Sequence, residues 1–365
     1  MNMDFIEALA EIEREKGISK DLLIDAIEAA MISSYKRNFN TAQNVRVDIN
    51  RQTGTIRVYA RKTVVEDVLD PRLEITLHAA REINQNYTMD DIVEIEVTPR
   101  DFGRIAAQTA KQVVTQRIRE AERGLIYNAF IEKEEDIVTG IVQRQDQRHY
   151  YIDLGKVEAV LPLTEVMPNE KFKQGERVKA YITKVENTTK GPQIILSRTH
   201  PGLLKRLFEL EVPEIYEGVV EIKSVAREAG FRSKIAVHSR NTEVDPVGSC
   251  VGPKGLRVQT IVGELRGEKI DIVRWMESVE EYVANALSPS KVLEVNVFEN
   301  EKMARVIVPD YQLSLAIGIK GQNARLAAKL TGWKIDIKSE AQAEQEYGRP
   351  RSQIEEMHQD SVSFD

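Results

Sequence analysis

Val251-Gly252-Pro253-Lys254-Gly255 and its echo Ile317-Gly318-Ile319-Lys320-Gly321 decide how the chain is read. A single GxxG carries no information, since 365 residues with 20 glycines contain about one by chance. What surrounds the pair is the signal. Each loop follows a short apolar segment opened by an acidic residue at an N-cap position, Asp245 with Pro246 behind it, or Asp310 after Pro309. A helical pattern follows each loop: Leu256, Val258, Ile261, Val262 and Leu265 in one copy, Ala324, Leu326, Ala327 and Leu330 in the other. Both helices stop at glycine, Gly267 and Gly332, and a strand begins at once, Lys269-Ile270-Asp271-Ile272 and Lys334-Ile335-Asp336-Ile337. The chain therefore contains a repeated helix–GxxG–helix–strand unit.

Two glycines let a backbone turn tightly with no Cβ in the way, and amides at the start of the next helix point toward an anion. A lysine inside each loop adds a mobile positive charge. This pattern resembles the KH module, whose GxxG loop clamps a nucleic-acid backbone beside an apolar groove for unstacked bases. Upstream of each loop lies a helix and two strands: 203–210, 218–225 and 234–237, then 279–287, 292–298 and 304–308. Each unit thus reads α-β-β-α-α-β, the bacterial KH ordering. The linker Ser288-Pro289-Ser290 is short enough to make the two modules one continuous RNA platform. The predicted RNA contacts are Gly252, Pro253, Lys254, Gly255 and Arg257, then Gly318, Ile319, Lys320, Gly321 and Arg325. The glycines are expected to act through backbone amides and the cations through phosphates.

Between residues 137 and 199 the pattern changes to five short strands separated by turn residues, as in a small closed OB-class barrel. The GxV opening at Gly140, Asp153-Leu154-Gly155, the Gly175-Glu176 turn and the closing Ile195-Leu196-Ser197-Arg198 resemble the S1 RNA-binding domain. Leu161-Pro162-Leu163-Thr164-Glu165 departs from it where a histidine is common. Arg148, His149 and Tyr151 are placed to stack bases, although either Tyr150 or Tyr151 must face the core.

The N-terminal segment reads as two amphipathic helices, broken at Gly17 and restarted by a Ser19 cap. Their polar face is acidic: Asp4, Glu7, Glu11, Glu13, Glu15, Asp21, Asp25 and Glu28. It is either an ordinary solvated face or a docking surface for a basic partner. A hairpin (45–49 and 55–59), a short helix (74–83), a strand (92–97) and a long helix from Phe102 to Leu125 follow. Asp101-Phe102-Gly103 is read as that helix's start, because no accompanying kinase motif is present.

Composition narrows the classes. The net charge of −7 is a whole-chain sum that hides local cationic helices, with Lys254, Arg257, Arg266 and Lys269 in one module and Lys320, Arg325, Lys329 and Lys334 in the other. Cys250 is the only cysteine, which excludes an internal disulfide and a cysteine-based zinc site within one chain, and is expected to be a buried thiol. No apolar run approaches a membrane span and Met1-Asn2-Met3-Asp4 starts no signal peptide, so a cytoplasmic setting is expected.

The order of an α/β domain, S1 and two KH modules resembles the NusA family of bacterial transcription factors. The resemblance is carried by Leu196-Ser197-Arg198-Thr199-His200-Pro201, by 204–215, and by Glu221-Ile222-Lys223-Ser224-Val225-Ala226-Arg227-Glu228. The expected organisation is multi-domain α+β: an N-terminal polymerase-binding domain at 1–133, an S1 OB-fold β-barrel at 134–200, tandem type II KH domains at 201–277 and 278–340, and a flexible acidic tail at 341–365. The resemblance implies a monomer whose N-terminal domain docks on RNA polymerase core near the RNA exit channel. It implies that S1-KH-KH holds nascent single-stranded RNA, with effects on hairpin pausing, intrinsic termination and antitermination beside other Nus-type factors. It calls for no cofactor, metal or membrane. The acidic repeats that follow the second KH module in some members are not expected here.

Three rivals remain. A phosphorolytic nuclease would need a separate catalytic domain, and neither the residues before Asp136 nor the scattered His78, His149, His200, His238 and His358 supply one. A ribosome-associated RNA-binding protein would co-sediment with ribosomes and leave elongation unchanged. A protein scaffold would bind no RNA at low salt.

Overall fold

The computed structural model describes residues 2–39 and 44–347, which fall into two compact units, Met1–Asn128 and Ala129–Asp365. In the first, α1 (Asn2–Lys16) and α2 (Lys20–Asn38) precede the hairpin of β1 (Val45–Ile49) and β2 (Ile56–Val65). Val45, Val47 and Ile49 alternate inward and pack on Leu23, Ile24, Ile27 and Met31 of α2 and on Phe102, Ala106 and Ala110 of α4 (Phe102–Ile131). The expected helix at 74–83 begins as a strand. Glu74–Thr76 (β3) pairs in parallel with β2, and Thr76 then caps α3 (Leu77–Ile83) by accepting from the Ala79 amide at 3.3 Å. The next strand, β4 (Ile92–Glu96), pairs with the other edge of β2.

Two readings of the acidic helices change. Ser19 holds the N-cap position of α2 but makes no side-chain cap bond, and the Lys20 amide donates to Glu13 at 3.1 Å instead. Part of the acidic face is also consumed internally. Arg51 pairs with Asp21 (3.4 Å) and Asp25 (2.8 Å), and Glu28 accepts from the Ile49 amide at 2.7 Å while burial raises its carboxyl above the ordinary range. The side chain of Asp4 lies outside the described residues.

The second unit begins with five strands, β5 (Ile137–Gln145), β6 (His149–Asp153), β7 (Glu158–Pro162), β8 (Arg177–Thr188) and β9 (Gly191–Ser197). They close in the order β5-β6-β7-β9-β8, with β8 returning to β5. The seam is thinnest between β7 and β9, where Val160 pairs with Ile195. A Cβ on Gly140 would stand 2.4 Å from the Ile152 side chain and 2.8 Å from the Asp153 carbonyl, so the glycine of the GxV opening permits the β5–β6 approach.

Then α5 (Pro201–Glu211) and α6 (Pro213–Tyr216) lead into β10 (Val220–Glu228), β11 (Arg232–Ser239), α7 (Pro246–Val251), α8 (Leu256–Glu264) and β12 (Lys269–Arg274). The pattern repeats as α9 (Val279–Ala286), β13 (Glu294–Phe298), β14 (Met303–Val308), α10 (Leu313–Ile317), α11 (Gln322–Thr331) and β15 (Lys334–Ser339). In both sheets the central strand is antiparallel to the first and parallel to the last. Three successive bodies share cores. Met167 and Tyr181 of the barrel pack with Leu203, Phe208 and Ile261, while Ala226, Ala236 and Val273 of the first α/β repeat pack with Tyr282, Val283 and Leu326 of the second.

The tail expected to be mobile from Ala341 is helical as far as Tyr347 (α12, Glu340–Tyr347). Polar bonds replace the missing apolar period: the Gln342 amide donates to Ser339 Oγ at 3.3 Å, Ala341 N donates to Asp310 at 3.2 Å, Lys338 pairs with Glu346 at 3.0 Å, and Ala343 is buried. Gly348-Arg349-Pro350 and the remaining tail lie outside the described residues.

Candidate nucleic-acid interface

The two GxxG loops have the same backbone. Gly252 and Gly318 sit at φ/ψ 72/175° and 74/174°, Lys254 and Lys320 at 51/25° and 53/29°, Gly255 and Gly321 at 75/13° and 74/17°. The first glycine of each loop occupies a region open to glycine alone, and the lysine is held left-handed despite its Cβ, a strain of about 1–2 kcal/mol. Both lysines are exposed, and neither makes an ion pair among the described residues. The duplicated conformation thus delivers one unneutralised cation per loop.

The glycines themselves do not offer their amides as expected. Gly252 N donates to Gly248 O (2.9 Å) and Gly255 N to Gly252 O (3.1 Å); Gly318 N donates to Ser314 O (2.9 Å) and Gly321 N to Gly318 O (3.1 Å). They shape the loop, and carbonyls of the preceding helix and of the loop itself take their hydrogens. Asp245 caps α7 through the Gly248 amide at 2.9 Å, as expected. Asp310 does not hold the N-cap of α10, because a 3-10 turn (Asp310–Gln312) intervenes and puts Gln312 there; its carboxylate accepts instead from the Ala341 amide at the start of α12.

The predicted arginines are already engaged. Arg257 Nη1 donates to Ser249 O (2.6 Å) and Glu214 (3.0 Å), so its guanidinium staples α7 to α8. In the second copy Asn323 occupies the equivalent place, donating to Ala316 O and Leu287 O at 3.0 Å each. Arg325 Nε donates to Glu228 at 2.6 Å and Nη1 to Lys320 O at 3.2 Å. Leu256, read as part of an apolar stripe, is 61% exposed beside the first loop, and Ile319 is 84% exposed within the second. Pro253 is exposed as well.

On the barrel, Tyr150 turns into the core against Phe172, ring centroids 5.5 Å apart, and Tyr151 therefore turns outward. Arg148, His149 and Tyr151 are gathered by Asp146, a residue the sequence reading passed over. Its carboxylate accepts from the Arg148 and His149 amides at 2.7 Å each and from the Tyr151 hydroxyl at 2.8 Å. The Arg148 amide leads these bonds in pulling the Asp146 carboxyl down to about 2. Arg144, also missed, lays its guanidinium over the Tyr151 ring, 3.4 Å from the centroid. A Gln145-Asp146-Gln147 turn ahead of an aromatic strand was the available clue.

Buried ion pairs join these surfaces. Arg198, 1% exposed at the end of the barrel, donates through Nε to Glu170 (2.8 Å) and through Nη2 to Glu264 O at the end of α8 (2.9 Å). Arg227 binds Glu268 at 2.9 Å through both Nε and Nη2 and His200 O through Nη1 at 2.8 Å. Burial opposes the charge on Glu268, yet Arg227, Ser233 and the Gly230 amide together hold its carboxyl below the ordinary range. Lys234, buried and with its ammonium disfavoured by desolvation, spans Asp271 (3.1 Å) and Ser288 O (2.7 Å), the start of the linker to the second repeat. His200 caps α5 through Nδ1, which accepts from Gly202 N at 3.1 Å, and stacks on Tyr181 with centroids 4.7 Å apart.

Cys250 is fully buried and its thiol is pushed up to about 12 by desolvation. Among the described residues no group of three or more His, Cys, Asp or Glu is arranged to hold a metal, and no helix is long and apolar enough to cross a membrane.

Models of known families match the whole described architecture. Residues 4–124 match the NusA N-terminal domain, 132–198 the S1 RNA binding domain, 198–275 the NusA-like first KH domain and 279–345 the NusA-like second KH domain. The chain is 75% identical over 345 residues to the transcription termination/antitermination protein NusA of Halalkalibacterium halodurans, covering 94% of this chain and 90% of that one. The protein of the same name from Bacillus subtilis is 70% identical over 343 residues (94% and 92% covered), and that from Thermus thermophilus 42% over 346 residues (92% and 89%).

Proposed function

The chain belongs to the NusA family of transcription termination/antitermination proteins, and from that premise we propose that it works by holding nascent RNA while docked on RNA polymerase. The observation that carries this reading is the pair of congruent loops, each presenting from one compact S1-KH-KH unit an exposed lysine that makes no ion pair among the described residues. Phosphates of single-stranded RNA meet Lys254 and Lys320, bases lie beside Leu256 and Ile319, and the barrel adds Arg148, His149 and Tyr151.

The N-terminal unit docks on the polymerase core near the RNA exit channel. Two weak sites on one body then raise each other's effective concentration, so modest RNA affinity suffices. Held there, the factor alters hairpin pausing, intrinsic termination and antitermination, alongside other Nus-type factors, as a cytoplasmic monomer. No chemical step is assigned to it, and the relatives it matches are named for termination and antitermination rather than for a reaction.

Replacing Pro253-Lys254 and Ile319-Lys320 by paired aspartates tests the clamp. RNA affinity should fall and its salt dependence flatten while circular dichroism stays unchanged. Unchanged affinity in a folded variant would remove both loops from the RNA site.

A further inference from the structure

The second loop carries a feature the first lacks. Arg325 stands at the loop itself: Nη1 lies 4.0 Å from where a Cβ on Gly321 would be and donates to the Lys320 carbonyl. Its partner Glu228 comes from the last position of β10, in the first KH module, and also accepts from Gln322 Nε2 at 2.8 Å. A carboxylate of one module therefore occupies the anion position at the clamp of the other.

The pair is open to solvent, with side-chain exposures of 48% for Arg325 and 20% for Glu228. A guanidinium so placed can trade a carboxylate for a phosphate oxygen, because both present the same acceptor geometry. The first module does not allow this exchange. Arg257 is packed against its loop, with its stem carbons 2.6–3.0 Å from a Cβ placed on Gly252, and it is also bound to the Ser249 carbonyl.

We infer that Glu228 is the resident counter-anion of Arg325 and sets the RNA affinity of the second KH loop: a backbone phosphate of single-stranded RNA displaces it. The modules are thereby unequal. The first presents Lys254 alone, and the second holds a further cation in reserve, released only against Glu228. RNA bound at the second loop must also give up a contact between the two modules, so its affinity depends on a residue outside its own domain. This rests on the loops being the RNA site.

The test is binding of a short fluorescent single-stranded RNA to the full chain, followed by anisotropy across a salt series. In Glu228→Gln, Arg325 is free from the outset. Affinity at low salt should rise severalfold, and the plot of log affinity against log salt should steepen by about 0.7, because the site's net charge rises by one when no displaced carboxylate remains beside the bound phosphate. Between about 50 and 200 mM salt that added slope removes roughly 2.6-fold of the gain. The gain should vanish in Glu228→Gln/Arg325→Gln.

Equal or weaker binding by Glu228→Gln would overturn the inference. So would a double variant that binds as tightly as Glu228→Gln, which would reduce the effect to lost repulsion. An equal steepening in Glu214→Gln would also overturn it, by making the change generic. Lys320→Asp separates this failure from that of the RNA-clamp reading, since wild-type affinity in that variant would reject the loop as an RNA site whatever Glu228→Gln does.

Discussion

A methyl group added to the first glycine of either loop should destabilise the protein far more than replacing the second by asparagine. At Gly252 the new Cβ would stand 2.6 Å from Arg257 Cγ and 2.8 Å from Cδ, at φ 72° and ψ 175°, where only glycine is at ease. The backbone term is about 1–3 kcal/mol. Moving Arg257 weakens its bonds to Ser249 O and Glu214, about 1 kcal/mol more. Gly252→Ala should therefore cost about 2–4 kcal/mol, or roughly 4–16 °C in Tm for a body of this size. Gly255 differs. It lies at φ 75°, ψ 13° with its nearest neighbour, the Gln259 amide, 3.6 Å from the added carbon. Gly255→Asn should cost no more than about 1 kcal/mol, since asparagine visits the left-handed region routinely. In the second copy Gly318→Ala should be worse than Gly252→Ala, because the added carbon meets the Asn323 backbone nitrogen at 2.9 Å and main chain cannot swing aside. Denaturant and thermal unfolding of the three variants measure these differences. Equal stability of Gly252→Ala and Gly255→Asn would refute the division of roles between the glycines.

Other outcomes follow from the same contacts. Arg198→Ala leaves Glu170 charged and buried, and should cost about 3–5 kcal/mol in chemical unfolding, much of it recovered by Arg198→Met with Glu170→Leu. Native Cys250 should resist a thiol reagent at pH 8 and react once denaturant is added. Its raised folded pKa gives the sign of the pH dependence: below about 9 both states hold the proton and stability is indifferent, and between about 9 and about 12 only the unfolded chain releases it, so stability falls as pH rises, which Cys250→Ala should blunt. Tyr151→Ala should lower RNA affinity by less than a full stacked base, about 1–3 kcal/mol, because Arg144 and Asp146 already engage that ring, and RNA titration measures it.

The repeated units were legible because their determinants are local. A glycine pair, a helical period and a terminating glycine lie within one stretch of chain, and the backbone angles repeat to within a few degrees. Barrel strands were legible for the same reason, since each alternates within itself. Two capping residues were misread because sequence gives position but not bonding: the Ser19 side chain makes no cap bond to α2, and Asp310 stands one 3-10 turn ahead of α10 and accepts from the Ala341 amide instead. The strand at Glu74 depends on pairing with β2 rather than on its own three residues.

What joins the domains was not legible. Arg198 and Glu170 are 28 residues apart and Arg227 and Glu268 are 41 apart, and charged residues read one at a time look like surface. Arg257 and Arg325 looked like free cations because the carboxylates that hold them come from segments well upstream. The local match at Leu196–Pro201 had its cause hidden in the same way. Arg198 bonds across the junction between barrel and first KH module, to the Glu264 carbonyl of α8, while Ser197 holds Glu165 within the barrel and His200 accepts from the Gly202 amide to start α5.

The lifetime of a hairpin-stabilised pause by purified bacterial RNA polymerase tests the central claim most directly, measured without the factor, with the full chain, and with both loops changed to GDDG. A longer pause with the full chain and a shorter one with the loop variant is the predicted result. Equal lengthening by both proteins would contradict the account, leaving the N-terminal unit to act at the pause without the RNA clamp.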